Sequence, residues 1–102
     1  MILIFTTLAK KETALKIGKS LLKDRLVACY NLLPVESAYW WKGEIVGDRE
    51  ILMILKTRKE NFGQVESQIK KHSGYEIPEV LAVTPSQVNK SYLDWTYSET
   101  KT

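Results

Sequence analysis

The segment Tyr75-Glu76-Ile77-Pro78-Glu79 carries the densest set of chemically useful side chains in the sequence. Two carboxylates and a tyrosine flank a proline, and the fixed φ of proline restricts the conformation of the loop. Paired carboxylates can bind a cation or exchange protons. The segment therefore predicts either a small polar site or a solvent-facing acidic turn after a helix, and the residues alone leave both interpretations open.

The only histidine, His72, lies shortly before this segment, and the only cysteine is Cys29. Imidazole beside carboxylates is a normal environment for a transition metal, and a thiolate is a soft ligand. A thiol and an imidazole could also act as nucleophile and base, but neither has a local spacing motif, and a lone cysteine in an apolar strand is usually a core residue. We take His72, Glu76 and Cys29 as candidate metal ligands and expect no catalytic residue.

The aromatic run Tyr39-Trp40-Trp41 is the second unusual feature. Adjacent residues of a strand point to opposite faces, so the two tryptophans cannot share one core. One interpretation places one ring in the core and the other in a subunit interface. The alternative is an aromatic wall for a ligand, since aromatics are common in both interfaces and pockets.

Composition excludes several classes of protein. The chain has 102 residues and a net charge of +3, but its basic and acidic residues are interspersed, so we expect no nucleic-acid partner. The longest aliphatic run, residues 51–55, is too short to span a membrane. Residues 1–8 lack the features of a signal peptide, and a single cysteine suits a reducing compartment. We expect one cytoplasmic domain over residues 1–102.

Hydrophobic periodicity places these residues on regular elements. The pattern predicts strands over 2–7, 27–33, 37–41, 49–57 and 79–84, and helices over 11–26, from about 61 to 72, and after 89. We expect Pro34 to end or kink the second strand, and the stretches 42–44 and 47–48 to form the hairpin turn. Thr57 with Glu60 has capping-box spacing, Asn61 is a rival cap for the same helix, and Asn89 is the expected cap of the last helix.

The element order β-α-β-β-α-β plus a C-terminal helix predicts an α+β fold, the ferredoxin-like split β-α-β sandwich, with the third strand between the first two. Two helices then cover one face of the sheet. The central strand is apolar on both sides, and nothing in so short a chain is left to cover the second face. Oligomerisation is therefore expected.

The sequence resembles the CutA family of divalent-cation tolerance proteins over nearly its whole length. The matching blocks are Leu26-Val27-Ala28-Cys29, Asn31-Leu32-Leu33-Pro34, Tyr39-Trp40-Trp41-Lys42-Gly43-Glu44-Ile45, Ile54-Leu55-Lys56-Thr57-Arg58, Tyr75-Glu76-Ile77-Pro78-Glu79 and Tyr92-Leu93-Asp94-Trp95. The resemblance implies a homotrimer with a copper-tolerance, binding or signalling role, an architecture like that of PII signalling proteins, and no enzymatic activity. It also implies an intersubunit cleft that takes a divalent cation or a small ligand, formed by Trp41, Lys56, Tyr75, Glu76, Glu79 and Tyr92.

The sequence departs from the family pattern at the proposed copper ligands. Phe5 stands where some members carry a cysteine, and His72-Ser73-Gly74 holds one histidine where others have two. Fewer soft ligands lower transition-metal affinity, so the expected binding of Cu²⁺ or another divalent cation is weak. Two alternatives remain: a PII-like protein that binds a small molecule without metal, and an RNA-binding module. The absence of aromatics from residues 49–57 argues against the second alternative.

Overall fold

The computed structural model describes residues 1–101. Their strands and helices follow one another along the chain as β1 (Ile2–Leu8), α1 (Lys11–Lys23), β2 (Cys29–Trp41), β3 (Glu44–Thr57), a 3₁₀ turn (Lys59–Asn61), α2 (Phe62–His72), β4 (Leu81–Val83) and α3 (Lys90–Glu99). None of the helices in this part of the chain is long and apolar enough to cross a membrane.

The four strands form one antiparallel sheet in the order β2-β3-β1-β4. Strand β3 pairs with β1 on one side and with β2 on the other, so the first two strands run parallel to each other with the third between them. This order confirms the predicted ferredoxin-like split β-α-β arrangement.

Alternation along the strands divides the sheet into a helix-covered face and an outer face. In β1 every second residue, from Ile2 to Leu8, is buried. These side chains pack against the buried stripes of the two covering helices, which include Ile17 and Leu21 of α1 and Ile69 of α2. One hydrophobic core therefore lies between the sheet and α1–α2, as the helical and strand periodicities predict.

The hairpin of β2 and β3 is longer than the sequence pattern predicts. Strand β2 continues through Pro34, which pairs with Ile51, because β2 is an edge strand and an edge strand tolerates the missing N–H. Gly47 lies within the ladder and is not part of a turn. The reversal is made by Lys42 and Gly43 alone, both with positive φ (49° and 82°), as in a two-residue type I′ hairpin. The predictions of a strand end at Pro34 and a turn at 47–48 are therefore wrong.

Several helix boundaries also differ from prediction. Helix α1 ends at Lys23, three residues early, and Arg25 takes a positive φ of 60°. Asn61 occupies the N-cap position of α2, as one of the two predictions has it, but its side chain makes no capping hydrogen bond. The side chains of Thr57 and Asn61 donate to the Leu26 carbonyl instead and fix the loop before β2. Asn89 does precede α3, but its side-chain amide donates to the Ser91 hydroxyl and not to the backbone.

The outer face of the sheet carries an apolar surface that the described residues leave largely uncovered. Helix α3 contacts β3 at its Lys56 end, where the ammonium of Lys56 lies over the Tyr92 ring. Elsewhere Leu33, Leu81 and Val83 are 48%, 45% and 44% exposed. Their registers place them on the same face as half-buried Leu3, Phe5, Leu52 and Ile54. As expected from the sequence, no element among residues 1–101 covers most of this face of the sheet.

Candidate functional site

An open cleft of about 850 Å³ lies at the end of the sheet where the β2–β3 hairpin extends. One wall is formed by residues 36–41 of β2, and the opposite wall by the loop after α2 through Tyr75, Glu76, Ile77 and Glu79. Glu50 of β3 lies between them. The two sequence features singled out for chemistry, the aromatic run and the Tyr75–Glu79 loop, therefore face each other.

A short hydrogen bond fixes the loop to the sheet. The Tyr75 hydroxyl donates to Oε2 of Glu50 at 2.6 Å. Burial, this hydrogen bond and the negative charge of Glu50 raise the pKa of Tyr75 well above its usual value, in that order of size. Tyr75 therefore stays protonated at physiological pH and acts as a hydrogen-bond donor.

Glu50 is the residue of the candidate site that the sequence analysis did not single out. It is 8% exposed, which is unusual for a carboxylate. Its position in β3 has the same parity as Leu52 and Ile54, and this parity places it on the outer face beside the cleft. The only sign of Glu50 in the sequence is a charged residue directly before the apolar run 51–55. A charged residue in that position is also common where a strand simply begins, so the sign is ambiguous.

The tyrosine of the aromatic run has a carboxylate partner of its own. The Tyr39 hydroxyl donates to Oδ2 of Asp48 at 3.1 Å, and this bond is the main cause of a raised Tyr39 pKa. Both residues are exposed, so the contact orders the hairpin surface without burying charge.

The two tryptophans point to opposite faces of the ribbon, yet both border the cleft. Trp40 is 70% exposed and pairs across the hairpin with exposed Ile45. Trp41 is half-buried, and the ammonium of Lys42 lies 5.7 Å from its ring centroid. Neither ring enters the hydrophobic core, so the interpretation that placed one tryptophan there is wrong for the single chain. The hairpin carries both rings beyond the layer that α1 and α2 cover.

Of the six residues expected to form a cleft, the structure brings four together and separates two. Trp41, Tyr75, Glu76 and Glu79 line the same cleft. Lys56 lies six residues from Glu50 on β3, about 20 Å along an extended strand. Its ammonium contacts the Tyr92 ring, with 5.5 Å to the centroid. Within one chain, Lys56 and Tyr92 are therefore a separate pair at the other end of the outer face.

The three candidate metal ligands do not meet within the chain. Cys29 pairs with Lys56 at the start of β2, on the outer face of the sheet. His72 lines a smaller groove of about 340 Å³ between α1 and α2, on the opposite side of the sheet, and Glu76 lines the cleft. Among residues 1–101 no three His, Cys, Asp or Glu side chains are grouped so that they could hold a metal ion. One chain therefore does not bring the three candidate ligands together, because the sheet separates the thiol from the imidazole, and their role in metal binding stays a prediction.

Phe5, which stands where some members of the family carry a cysteine, lies among apolar residues. Phe5 pairs with Ile54 on one side and Leu81 on the other, and it is half-buried on the outer face. The structure therefore gives this position a packing role.

The fold and the cleft define a small α+β domain of the PII-like kind. The PII-like protein CutA from Nostoc sp. PCC 7120 in apo form superimposes with a TM-score of 0.91 at 29% identity, covering 99% of this chain and 98% of that one. The CutA1 crystal structure from Pyrococcus horikoshii gives a TM-score of 0.93 at 39% identity, with both chains covered completely.

The sequence comparisons identify the family. The family model described as "CutA1 divalent ion tolerance protein" matches residues 2–99. The divalent-cation tolerance protein CutA of P. horikoshii is 41% identical over 101 residues, which is 99% of each chain. A solved structure from Archaeoglobus fulgidus, described as a periplasmic divalent cation tolerance protein, has a TM-score of 0.94 at 36% identity and covers 97% of this chain and 98% of its own. The chain therefore belongs to the CutA1 divalent ion tolerance protein family.

Proposed function

We propose that the protein is a homotrimeric divalent-cation tolerance protein that acts by binding a ligand in its cleft, in a binding or signalling role and without catalysing a reaction. The observation that carries the proposal is the apolar outer face of the sheet, with Leu33, Leu81 and Val83 exposed. Family membership supports the tolerance role.

Association of three sheets through their outer faces would remove this surface from water. Burying a fully exposed leucine or valine side chain is worth about 1.5–3 kcal/mol. Leu33, Leu81 and Val83 are nearly half exposed, so each contributes about half of that when a neighbouring sheet covers it. The same packing would bring elements of a neighbouring subunit near the cleft, which lies at the edge of this face. Lys56 and Tyr92, which are remote from the cleft in one chain, are the residues we propose that a neighbour contributes.

Gel filtration with light scattering tests the assembly. We expect a trimer for the wild type and a shift to monomer for Leu81→Glu, which places a charge on the outer face. Leu22→Glu is the matched control: Leu22 is an exposed leucine on α1, so its variant should remain trimeric. A wild type that is monomeric at micromolar concentration would contradict the proposal.

The proposed interaction with divalent cations is weak and does not need His72, Glu76 and Cys29 to lie in one site. With one imidazole, or one or two carboxylates, as ligands, we expect a dissociation constant in the micromolar range or weaker. A micromolar dissociation constant corresponds to a binding free energy on the order of −8 kcal/mol. Calorimetric titration of the reduced protein with Cu²⁺ tests this, with His72→Ala, Glu76→Gln and Cys29→Ser measured beside the wild type. Loss of most of the Cu²⁺ binding in one variant would identify the substituted residue as a ligand of the ion. Equal binding by all four proteins would remove these residues from the metal role.

The second candidate function is a PII-like protein that binds a small organic molecule without a physiological metal. The aromatic lining of the cleft favours it, because rings bury an organic ligand and do not coordinate an ion. A saturable organic ligand together with no saturable heat from Cu²⁺ would establish this candidate over the first.

We also propose a cytoplasmic location, on the ground that a single cysteine suits a reducing compartment. Fractionation of cells that express the full-length protein tests it, and recovery in an extracytoplasmic fraction would overturn it.

A further inference from the structure

The groove of about 340 Å³ between α1 and α2 lies on the side of the sheet opposite to the apolar outer face. The proposed trimer joins the sheets through their outer faces, so the two helices and the groove between them stay on the outside of the assembly. The groove is therefore accessible to a ligand both in the single chain and in the trimer. Its volume lies at the lower end of the range typical of small-molecule sites.

One stripe of each helix lines the groove. The lining residues follow one another at spacings of three or four, which places them on one face of each helix. They are Thr13, Lys16, Ile17 and Ser20 on α1, and Gln68 and His72 on α2. Ile17 is buried, so the groove reaches down to the hydrophobic core, and the other five residues are polar.

The five polar side chains can all donate a hydrogen bond, and none of them is acidic. They offer an ammonium, an imidazole N–H, a primary amide and two hydroxyls. Within residues 1–101 none of the five forms a side-chain hydrogen bond or an ion pair. The groove therefore presents donors from two facing helices that the described chain does not itself engage.

The helical layer around the groove is the basic part of the protein. Residues 10–25 and 59–72, which contain α1 and α2, hold nine Lys and Arg and four Asp and Glu, a net charge of +5. The whole chain has a net charge of +3, so the remaining residues are acidic on balance. A surface with an excess of one sign of charge attracts ligands of the opposite sign, and this layer therefore attracts anions.

The acidic residues nearest to the groove do not neutralise it. Glu66 of α2 is paired with Lys70, with 3.2 Å between the ammonium and the carboxylate. Glu12 lies four residues before Lys16 on α1, but no ion pair joins the two among residues 1–101. The Lys16 ammonium is therefore not compensated by a direct partner and can pair with an anionic ligand.

The number and placement of the donors argue for a phosphate group and against a carboxylate. A phosphate monoester presents three oxygens in a tetrahedral arrangement, so it can accept hydrogen bonds from both helices at once. A carboxylate has two oxygens in one plane and suits a forked donor such as arginine, which the lining lacks. Lysine is a common point-charge ligand of phosphate.

We propose that the α1–α2 groove binds the phosphate group of a small phosphorylated molecule, with the Lys16 ammonium as its ionic partner and Gln68 and His72 as donors from the facing helix. The proposal goes beyond the proposed function and does not depend on it, because it involves neither the cleft, the trimer nor a divalent cation.

Proton NMR of the full-length, metal-free protein, titrated with glycerol phosphate at constant pH, tests the proposal. His72 is the only histidine, so its imidazole ring protons report on this groove alone. Metal is removed first because His72 is also a candidate Cu²⁺ ligand. We expect a saturable shift of these signals with a dissociation constant of about 1 mM or lower. Sodium chloride at matched ionic strength should give no saturable shift, and acetate should bind more weakly.

Two substitutions in the groove should weaken the binding. Lys16→Gln removes the charge and keeps a long polar side chain, so it should weaken glycerol phosphate binding about tenfold through loss of one charge-assisted contact. Gln68→Glu places a carboxylate in the groove and should abolish the saturable shift, since like charges repel.

Lys19→Gln is the matched control, because it makes the same change of charge on the same helix at an exposed residue outside the lining of the groove. This variant should bind glycerol phosphate like the wild type. An equal loss in Lys16→Gln and Lys19→Gln would show general attraction to a basic surface and overturn the proposal. Absence of a saturable shift in the wild type, or acetate binding as tight as that of glycerol phosphate, would also overturn it.

Discussion

The Tyr75 hydroxyl and the Glu50 carboxylate, 25 residues apart in sequence, form a 2.6 Å hydrogen bond that joins the loop after α2 to the central strand β3. The bond holds the acidic loop beside β3 at the rim of the cleft. Because Glu50 is buried and has no ion pair among residues 1–101, this donor is the main stabilisation its side chain receives from that part of the chain.

Tyr75→Phe removes that donor and leaves a buried carboxylate. We expect a loss of about 1–3 kcal/mol in the free energy of unfolding, since a hydrogen bond to a charged group is removed and its acceptor stays desolvated. Urea denaturation measures it. Tyr39→Phe is the control, because it deletes an equivalent hydroxyl-to-carboxylate bond, to Asp48, at an exposed position. Equal losses in both variants would contradict the importance of burial at Glu50.

Tyr39 and Tyr75 should lose their hydroxyl protons late at alkaline pH. Tyr39 and Tyr75, two of the five tyrosines, have pKa values above the usual 10.0 in the folded state. The folded state therefore holds these protons more tightly than the unfolded chain. Their contribution to stability is complete below pH 10.0 and is lost as the pH rises through the folded-state values. Near-ultraviolet phenolate absorbance should show a late fraction that shrinks in Tyr75→Phe. A late fraction that is unchanged in Tyr75→Phe would refute the assignment.

A pair of threonines in the core provides a test with opposite signs. The Thr6 hydroxyl is buried in β1 without a hydrogen-bond partner among residues 1–101, whereas the Thr57 hydroxyl donates to the Leu26 carbonyl at 2.7 Å. Thr6→Val should raise the free energy of unfolding by about 1 kcal/mol, and Thr57→Val should lower it by about 1–2 kcal/mol. Thermal and urea unfolding of the two variants measure both signs. Destabilisation by Thr6→Val would show that its hydroxyl has a partner.

Gly18 allows α1 to approach the sheet. A Cβ at Gly18 would lie 2.6 Å from the Tyr30 ring, so Gly18→Ala should cost about 1–3 kcal/mol by overpacking, despite the better helix propensity of alanine. Gly63→Ala is the control on α2, where a Cβ meets nothing within 4 Å. It should be neutral or stabilising by up to about 1 kcal/mol. Calorimetric melting temperatures separate the two, and recovery in Gly18→Ala/Tyr30→Leu would confirm the contact.

The sequence predicted most of the fold because its signals are local. The β-branched and aromatic composition of residues 2–7 and the apolar stripes of α1 and α2 are local features, and the structure has these elements close to the predicted bounds. Gly74 follows the end of α2 with a φ of 81°, the left-handed conformation that glycine commonly takes after a helix.

The bounds of the β2–β3 hairpin were mispredicted because proline, glycine and aspartate occur both in turns and inside edge strands, and only the strand pairing distinguishes the two. Pro34 and Gly47-Asp48 resemble interruptions, but the ladder passes through both since β2 is an edge strand and the register keeps each residue paired. Thr57 and Asn61 likewise have capping chemistry, and a tertiary contact with the Leu26 carbonyl takes both side chains instead.

The sequence by itself determined the α+β element order, the family resemblance and the chemistry of the Tyr75–Glu79 loop, because these depend on residue types and short spacings. Only the tertiary structure decided which of those residues meet. Strand pairing places Glu50 on the outer face, where it meets Tyr75, and places Lys56 and Cys29 at the far end of that face. His72 lies on the opposite side of the sheet, between α1 and α2. Contacts between residues distant in sequence follow from register and layer order, which the local patterns do not encode.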